Sequence, residues 1–235
     1  MIPELLDAWC TEHHLSLTAD QQAAFQTYAD LLVDWNQHIN LTAITDPKEI
    51  AVKHFIDSLS VLTCTDLEEG ASLIDIGTGA GFPGLPLKIM RPDLHLTLLD
   101  SLNKRLIFLE EVCRSLSLKV NLVHARAEEY GQKPAYREQY DYVVSRAVAN
   151  LPALCEYCTP YLKVGGKFIA MKGPDGETEL QAAANALRLL NCCVHHITSL
   201  TLPDESIRII LSLQKQAPTP SRYPRRGVKI AKSPL

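Results

Sequence analysis

The stretch from Ser72 to Gly84 constrains this chain more than any other. A run rich in β-formers, Leu73 to Ile76, stops at three alternating glycines, Gly77, Gly79 and Gly81, and Phe82-Pro-Gly84 follows. Glycine accepts positive φ and lets the backbone approach a ligand, so the run reads as a strand, a tight turn and a helix. Pro83 is expected in the helix's first turn, where a missing N–H costs nothing. The unpaired N–H groups of such a helix start can hold part of a bulky ligand. Sixteen residues past Gly84, a second apolar run, Leu94 to Leu99, ends in Asp100. A carboxylate at the tip of a neighbouring strand is placed to accept hydrogen bonds from the two hydroxyls of a ribose, which implies a ligand containing adenosine.

Two ligand classes compete for that pocket. Gly79-Ala-Gly81-Phe-Pro-Gly84 matches the G-x-G-x-x-G fingerprint of nicotinamide dinucleotides, a pattern with many chance matches. Asp75, two residues before Gly77, changes the reading to D-x-G-x-G-x-G, the pattern of Rossmann-like methyltransferases that use S-adenosylmethionine. A carboxylate there would repel a pyrophosphate. The same carboxylate would attract the ammonium and sulfonium centres of S-adenosylmethionine, directly or through water. Asp75 has a plainer alternative as a cap of the turn, since Asp bonds readily to nearby backbone N–H groups.

The rest of the chain fits an α/β protein. Residues 1–66 read as a helical extension, with Leu5, Leu6 and Trp9 on one segment and Phe25, Tyr28, Leu31, Leu32 and Trp35 on the next, capped by Thr18 or Asp20. Asp46-Pro47 opens a third helix carrying His54 and Asp57. Trp35 with Phe25 and Tyr28 suits helix core better than a base-stacking platform. His54 and Asp57 share a helix face, to meet a substrate or simply each other.

Residues 67–215 alternate strands and helices, implying a mostly parallel sheet with helices on both faces. Predicted helices run from Pro83 to Met90, Leu102 to Ser117, Leu151 to Leu162 and Asp175 to Leu190. The last two strands, Val194 to Leu200 and Ile207 to Leu213, are joined by too few residues for a right-handed crossover. The last one must therefore run antiparallel, an arrangement of methyltransferases rather than of nicotinamide-binding domains.

Residues 216–235 form a basic tail. From Lys215 onward there are six basic residues and no acidic one, leaving a body with 17 basic against 27 acidic residues. A cationic arm on an acidic body suits phosphate-backbone attraction and salt-sensitive binding, or else a solvated tail. Seven scattered cysteines suit reduced, buried thiols. Cys155-Glu-Tyr-Cys158 has no second pair at zinc spacing, and His195 and His196 point to opposite faces of a strand, so no metal site is expected. With no long apolar run and no basic region ahead of an apolar N-terminus, a cytoplasmic protein without membrane contact is expected.

Six motifs together carry a resemblance: Trp35-Asn36-x-x-x-Asn40-Leu-Thr42, His54-Phe-Ile-Asp57-Ser-Leu59, Asp75 to Gly84, Asp100-Ser-Leu-Asn-Lys-Arg105, Ser145-Arg146-Ala147 and Tyr223-Pro-Arg-Arg226. In type and order they resemble the RsmG (GidB) family of bacterial methyltransferases, which modify the 7-position nitrogen of a guanine in 16S ribosomal RNA. The resemblance implies a class I methyltransferase fold and S-adenosylmethionine as cofactor. It implies cofactor contacts at Gly77 and Phe82 within the turn that also holds Asp75, Gly79 and Gly81. Asp100, Ser101 and Leu102 would meet ribose and adenine, Ala127 and Glu128 would flank the adenine, and Arg146 would stand at the mouth between cofactor and substrate. Arg126 and Arg208 resemble further family arginines. The tail departs from the family's Arg-Pro-Gly-x-Pro, having Arg226-Gly-Val-Lys229 instead.

The substrate so implied is 16S ribosomal RNA, free or within a small-subunit particle, contacted by Arg126, Arg208 and the tail residues Arg222, Arg225, Arg226 and Lys229, with the enzyme acting as a monomer. The guanine nitrogen has a lone pair and no proton, so its methylation needs no general base, and catalysis can rest on holding the reactants in line. Arg146 is the candidate catalytic residue, donating to the guanine oxygen while sparing the nitrogen, unless it merely pairs with an acidic neighbour. A nicotinamide-dependent oxidoreductase and a non-catalytic RNA-binding module on the same fold are the alternatives.

Overall fold

The computed structural model describes residues 1–235. It opens with α1 (Ile2–Glu12) and α2 (Ala19–Asn36). Thr18 starts α2 with a reciprocal cap: its hydroxyl accepts from Gln21 N, while Gln21 Oε1 accepts from Thr18 N. Next, α3 (Pro47–Ile50), capped by Asp46, runs through a π-helical stretch (Ala51–Ile56) into α4 (Asp57–Leu59) and α5 (Val61–Cys64). The α/β unit then follows as β1 (Ser72–Ile76), α6 (Gly84–Met90), β2 (His95–Asp100), α7 (Asn103–Ser115), β3 (Asn121–His124), α8 (Ala127–Tyr130), β4 (Tyr140–Arg146) and α9 (Leu151–Cys158). A 3₁₀ turn (Thr159–Tyr161) leads to β5 (Leu162–Lys172), α10 (Gly176–Ala182), α11 (Ala184–Leu189), β6 (Cys192–Thr201), β7 (Ile207–Lys215) and α12 (Gly227–Lys232).

The seven strands are ordered β3-β2-β1-β4-β5-β7-β6, with β7 antiparallel to both neighbours and β1 to β5 mutually parallel. The expected fold class is therefore the observed one, with the reversed strand inserted between β5 and β6. Strand order changes direction at β1, so the carboxyl ends of β1 and β4 diverge and leave a crevice, the place where open α/β sheets bind ligands. Because β7 runs backwards, its first residues reach that same edge: Lys172 at the end of β5 lies opposite Ile209.

Three details differ from the sequence reading. Pro83 is not in the first turn of α6 but precedes it as the N-cap residue, because the chain from Thr78 to Phe82 is still turning, with Gly81 N and Phe82 N both donating to Thr78 O. The single helix expected from Asp175 to Leu190 breaks at Ala183, and the one from Leu151 to Leu162 ends at Cys158, since Pro160 cannot supply an N–H to continue it.

Helices cover both faces of the sheet. On one, Leu6, Trp9, Phe25, Tyr28 and Phe55 from the N-terminal helices join Leu73, Leu98 and Phe108 in one continuous core. The helical extension thus shares the sheet's core, and truncating a buried ring such as Phe55 to Ala would cost about 3–5 kcal/mol. Trp35 packs partly buried against Phe108, with ring centroids 5.8 Å apart, which is the core role. The other face buries α9, α11 and the C-terminal Tyr223. Burial there raises the thiols of Cys155 and Cys158. No helix is long and apolar enough to cross a membrane.

Candidate active site

Two clefts open at the carboxyl edge of the sheet. The first, about 410 Å³, has an apolar floor that includes Ile76, Leu99 and Ala125, with Gly77 at the turn and Ser101, Ala127 and Glu128 along one side. The second, about 670 Å³, is lined by Lys53, His54, Asp57, Arg146, Lys172 and Arg208. Both volumes fall in the range of roughly 300–1,000 Å³ usual for small-molecule sites. Val148, Ala149 and Asn150 line both, so one loop after β4 separates and joins them. That loop is fixed from below by Lys172, which donates to Ala149 O at 2.7 Å and pairs with Glu179 at 2.7 Å.

The glycine turn is built for close approach. Gly77 has φ of +71°, and a Cβ there would lie 2.5 Å from Val148 Cγ2, on the shared loop. At Gly81, φ is +100° and a Cβ would meet the Tyr28 hydroxyl at 2.4 Å. That hydroxyl donates to Ala80 O, so α2 clamps the turn from the core side. Gly79 N donates to Asp100 Oδ2 at 2.9 Å, tying the turn to the tip of β2.

Asp75 is fully buried and lies outside the lining of either cleft. Its Oδ2 accepts from Thr78 Oγ1 at 2.7 Å and from Gly84 N at 2.9 Å, so the capping alternative is the one observed and direct contact with a ligand cation is not. Burial pushes its carboxyl up to about 6, against the two hydrogen bonds that favour the ionised form. A carboxylate on the first N–H of α6 also occupies the place where a dinucleotide would set its pyrophosphate, which disfavours the nicotinamide alternative. A ligand without phosphate fits this turn and its apolar floor.

Asp100 is 2% exposed. Its Oδ1 accepts from Leu102 N, and its Oδ2 accepts from Gly79 N and, at 3.2 Å, from Arg105. One lone pair on Oδ1 remains for a hydroxyl, and the half-exposed Arg105 must move aside for a second. Leu102 is exposed and does not line the first cleft, whereas Ser101, Ala127, Glu128 and Arg126 do. The Phe82 ring does not line that cleft. It is sandwiched between His54, at a centroid distance of 4.4 Å, and Tyr28, at 5.3 Å, with the Arg146 guanidinium 5.1 Å from its centroid.

Arg146, at the end of β4, is the hub of the second cleft. Its Nη1 donates to Lys53 O at 2.9 Å and to Asp57 Oδ2 at 2.8 Å, and its Nη2 meets His54 Nδ1 at 3.3 Å. The other Asp57 oxygen accepts from Arg208 Nε at 2.9 Å. Asp57 is thus a buried carboxylate shared by two arginines, and His54 and Asp57 meet Arg146 rather than each other. Burial and the Arg146 charge push His54 down to about 3, so the ring is neutral at physiological pH. Arginine only donates, so Nδ1 must accept, the proton sits on Nε2, and Nε2 donates to Thr42 Oγ1 at 2.8 Å. Thr42 is held in turn by Asn36, whose Oδ1 accepts from Leu41 N and Thr42 N. The π-helical register, frequent at functional sites, lies at Ala51–Ile56, where it carries His54 and the Lys53 carbonyl that Arg146 takes.

The basic tail is corrected in one respect: it is not a free arm. Arg225 is turned inward onto the fully buried Glu156, with bonds of 2.6 to 3.0 Å, while Arg222, Arg226 and Lys229 stay exposed. Sequence reasoning missed Tyr157, Ala231 and Pro234 in the first cleft and Lys172 and Glu179 in the second. Only the apolar Tyr223 and Ile230 within a cationic segment, both buried, hinted that the tail folds back.

Comparison with known proteins converges on one family. A family model described as GidB, rRNA small subunit methyltransferase G, matches residues 21–208. The chain is 49% identical over 226 residues to the ribosomal RNA small subunit methyltransferase G of Desulforamulus reducens, covering 95% of this chain and 94% of the relative. The protein of that name from Alkaliphilus metalliredigens is 48% identical, with 98% of each chain covered. Among solved structures, a SAM-dependent methyltransferase from Aquifex aeolicus superposes with a TM-score of 0.52 at 18% identity, over 71% of this chain and 93% of that one, a likeness of fold. Identity at this level along nearly the whole length makes the chain a member of the rRNA small subunit methyltransferase G (GidB) family, with S-adenosylmethionine as its cofactor.

Proposed function

We propose that the protein transfers the methyl group of S-adenosylmethionine to the 7-position nitrogen of a guanine in 16S ribosomal RNA, with the cofactor in the first cleft and the base in the second. The observation that supports this reading is the loop Val148 to Asn150, which lines both clefts, so that a donor in one and an acceptor in the other would lie side by side. When bound, the cofactor supplies an electrophilic methyl on a sulfonium.

The chain's residues supply positioning. Gly77, Ser101, Ala127 and Glu128 would hold the cofactor, with Asp100 on the ribose and Leu102 at the rim. Arg146 has spent both Nη1 hydrogens and one on Nη2, which leaves Nε–H and one Nη2–H for the guanine oxygen while the neighbouring nitrogen stays free to react. The second cleft offers no free general base: His54 has both ring nitrogens engaged, Asp57 has both oxygens engaged, and Glu179 pairs with Lys172 and accepts from Leu151 N. That suits an acceptor carrying no proton, whose barrier is lowered by alignment alone. Lys53 and Arg208 around the base and the exposed Arg126, Arg222, Arg226 and Lys229 would face the phosphate backbone.

The test is methylation of 16S RNA from a strain lacking this enzyme, with labelled cofactor and nuclease digestion. Label is expected in 7-methylguanine; incorporation into any other nucleoside would overturn the nitrogen assignment. Running the assay on protein-free RNA and on small-subunit particles tells which is the substrate. An Asp100→Ala variant should bind the cofactor more weakly, and unchanged affinity would remove Asp100 from the ribose.

A further inference from the structure

The C-terminal segment does more than carry charge. Ala231 and Pro234, at the end of α12 and beyond it, line the first cleft alongside Tyr157 and Glu128. The backbone of Gly227 lies so close to Glu128 that a Cβ there would fall 2.1 Å from Glu128 Oε1. The segment is seated by burial of Tyr223 and Ile230 and by bonds from elsewhere in the chain: Arg137 donates to Thr219 O and Tyr223 O, and Gln132 donates to Pro224 O.

One ion pair fixes its final turn. Glu156, on α9 and 0% exposed, accepts from Arg225 N at 2.7 Å, Nε at 2.9 Å and Nη2 at 2.6 Å. The same Nη2 reaches Ser233 O at 3.0 Å, so a single guanidinium joins the body of the protein to both ends of α12. A forked arginine on a buried carboxylate fixes orientation as well as distance. A solvated basic tail has no use for such an arrangement.

From this geometry we infer that residues 225–235 form a wall of the cofactor site, and that Arg225 and Glu156 are positioning residues for cofactor binding. The inference rests on the cofactor reading of the first cleft. It divides the basic residues of the tail into two tasks: Arg225 turns inward to hold the wall, while Arg222, Arg226, Lys229 and Lys232 face solvent. Cofactor affinity then depends on a segment far outside the glycine turn, next to the surface offered to RNA.

The experiment is calorimetric titration of S-adenosylmethionine into the full-length protein and three variants, with thermal melting and steady-state methyl transfer on each. Arg225→Gln loses the fork and should bind at least tenfold more weakly, raising KM for the cofactor while kcat at saturation is kept. Arg225→Lys, which keeps the charge but not the fork, should recover part of the affinity. Ala231→Trp leaves the ion pair intact and pushes a ring from exposed α12 into the cleft, so it should lose cofactor affinity while melting like the wild type. Wild-type affinity in Ala231→Trp overturns the wall, whatever Arg225→Gln does. Wild-type affinity in Arg225→Gln overturns the positioning role. Failure of the wild-type protein itself to bind the cofactor would sink the cofactor reading and this inference together.

Discussion

Replacing Asp57 tests the second cleft directly. Its carboxylate is 3% exposed and serves two guanidiniums, those of Arg146 and Arg208, whose side chains are 15% and 22% exposed. Removing one partner of a buried ion pair costs about 3–5 kcal/mol, because the remaining charge is stranded. Here the stranded charges are softened: Arg146 keeps Lys53 O and His54, and Arg208 keeps Ile207 O and a path to solvent. Asp57→Ala should therefore sit at the low end, about 3 kcal/mol. For a chain of this size that is a fall in Tm of about 6–12 °C. Asp57→Asn retains the shape and one acceptor and should lose about half as much stability, while Arg146, no longer fixed from that side, loses its alignment.

A reacting group misplaced by about 1 Å loses on the order of 10²-fold in rate. The expected pattern in Asp57→Asn is therefore a large fall in methyl transfer at saturating cofactor, with the dissociation constant of S-adenosylmethionine unchanged, because Asp57 does not line the first cleft. Melting curves, calorimetry and methyl incorporation together read this out. If Asp57→Ala melts within about 2 °C of wild type and both variants transfer methyl groups at the wild-type rate, the buried carboxylate does not organise the site and the argument for Arg146 fails with it.

Gly77→Ala puts a methyl at φ of +71° and 2.5 Å from Val148 Cγ2; it should cost about 1 kcal/mol or more in stability and weaken both cofactor binding and transfer, since the displaced loop lines both clefts. Wild-type kinetics would show that the loop is not held by this contact. His54 titrates at about 3 when folded against 6.5 when unfolded, so below pH 6.5 only the unfolded chain takes up that proton and stability falls as pH drops toward 3, at up to about 1.4 kcal/mol per pH unit. Asp75, raised from 3.8 to about 6, works the opposite way over its own window, holding its proton in the folded state. Urea titrations of His54→Leu should therefore show a flatter acid limb than wild type, and an equal slope would contradict the buried neutral ring. Replacing Arg222, Arg226, Lys229 and Lys232 together by Gln should make the dependence of RNA affinity on log salt shallower by up to about 3.6, at roughly 0.7 to 0.9 per lost phosphate contact, while Arg225→Gln leaves it unchanged. A fall in slope with Arg225→Gln alone would mean that this residue faces phosphate after all.

The sheet and the glycine turn were legible because their signals are local. Strand runs, alternating glycines and an acidic residue at a strand tip all sit within about thirty residues, and a short link between the last two apolar runs sufficed to reverse β7. The second cleft was not legible in the same way. Arg146 and Asp57 are separated by 89 residues and Arg208 and Asp57 by 151, and no spacing rule joins them until the sheet brings β4 and β7 to one edge. The packing of the Phe82 ring was not legible, because a turn's sequence does not tell which side of the turn the ring takes, and here the N-terminal helices offer it His54 and Tyr28. The tail was read by charge, which says nothing of direction; a buried glutamate on α9, invisible in composition, turns one of its arginines inward.

The reversal of β7 also sets an order in time. A parallel strand delivers its last residues to the reactive edge, but a reversed one delivers its first, so Arg208 arrives there only after β1 to β6 have been made. The wall containing Ala231 follows later still. A nascent or prematurely terminated chain that stops before Ile207 therefore carries the glycine turn but neither the second arginine on Asp57 nor the residues Ala231 and Pro234 of the first cleft, and on the reading proposed above it would lack methyl transfer.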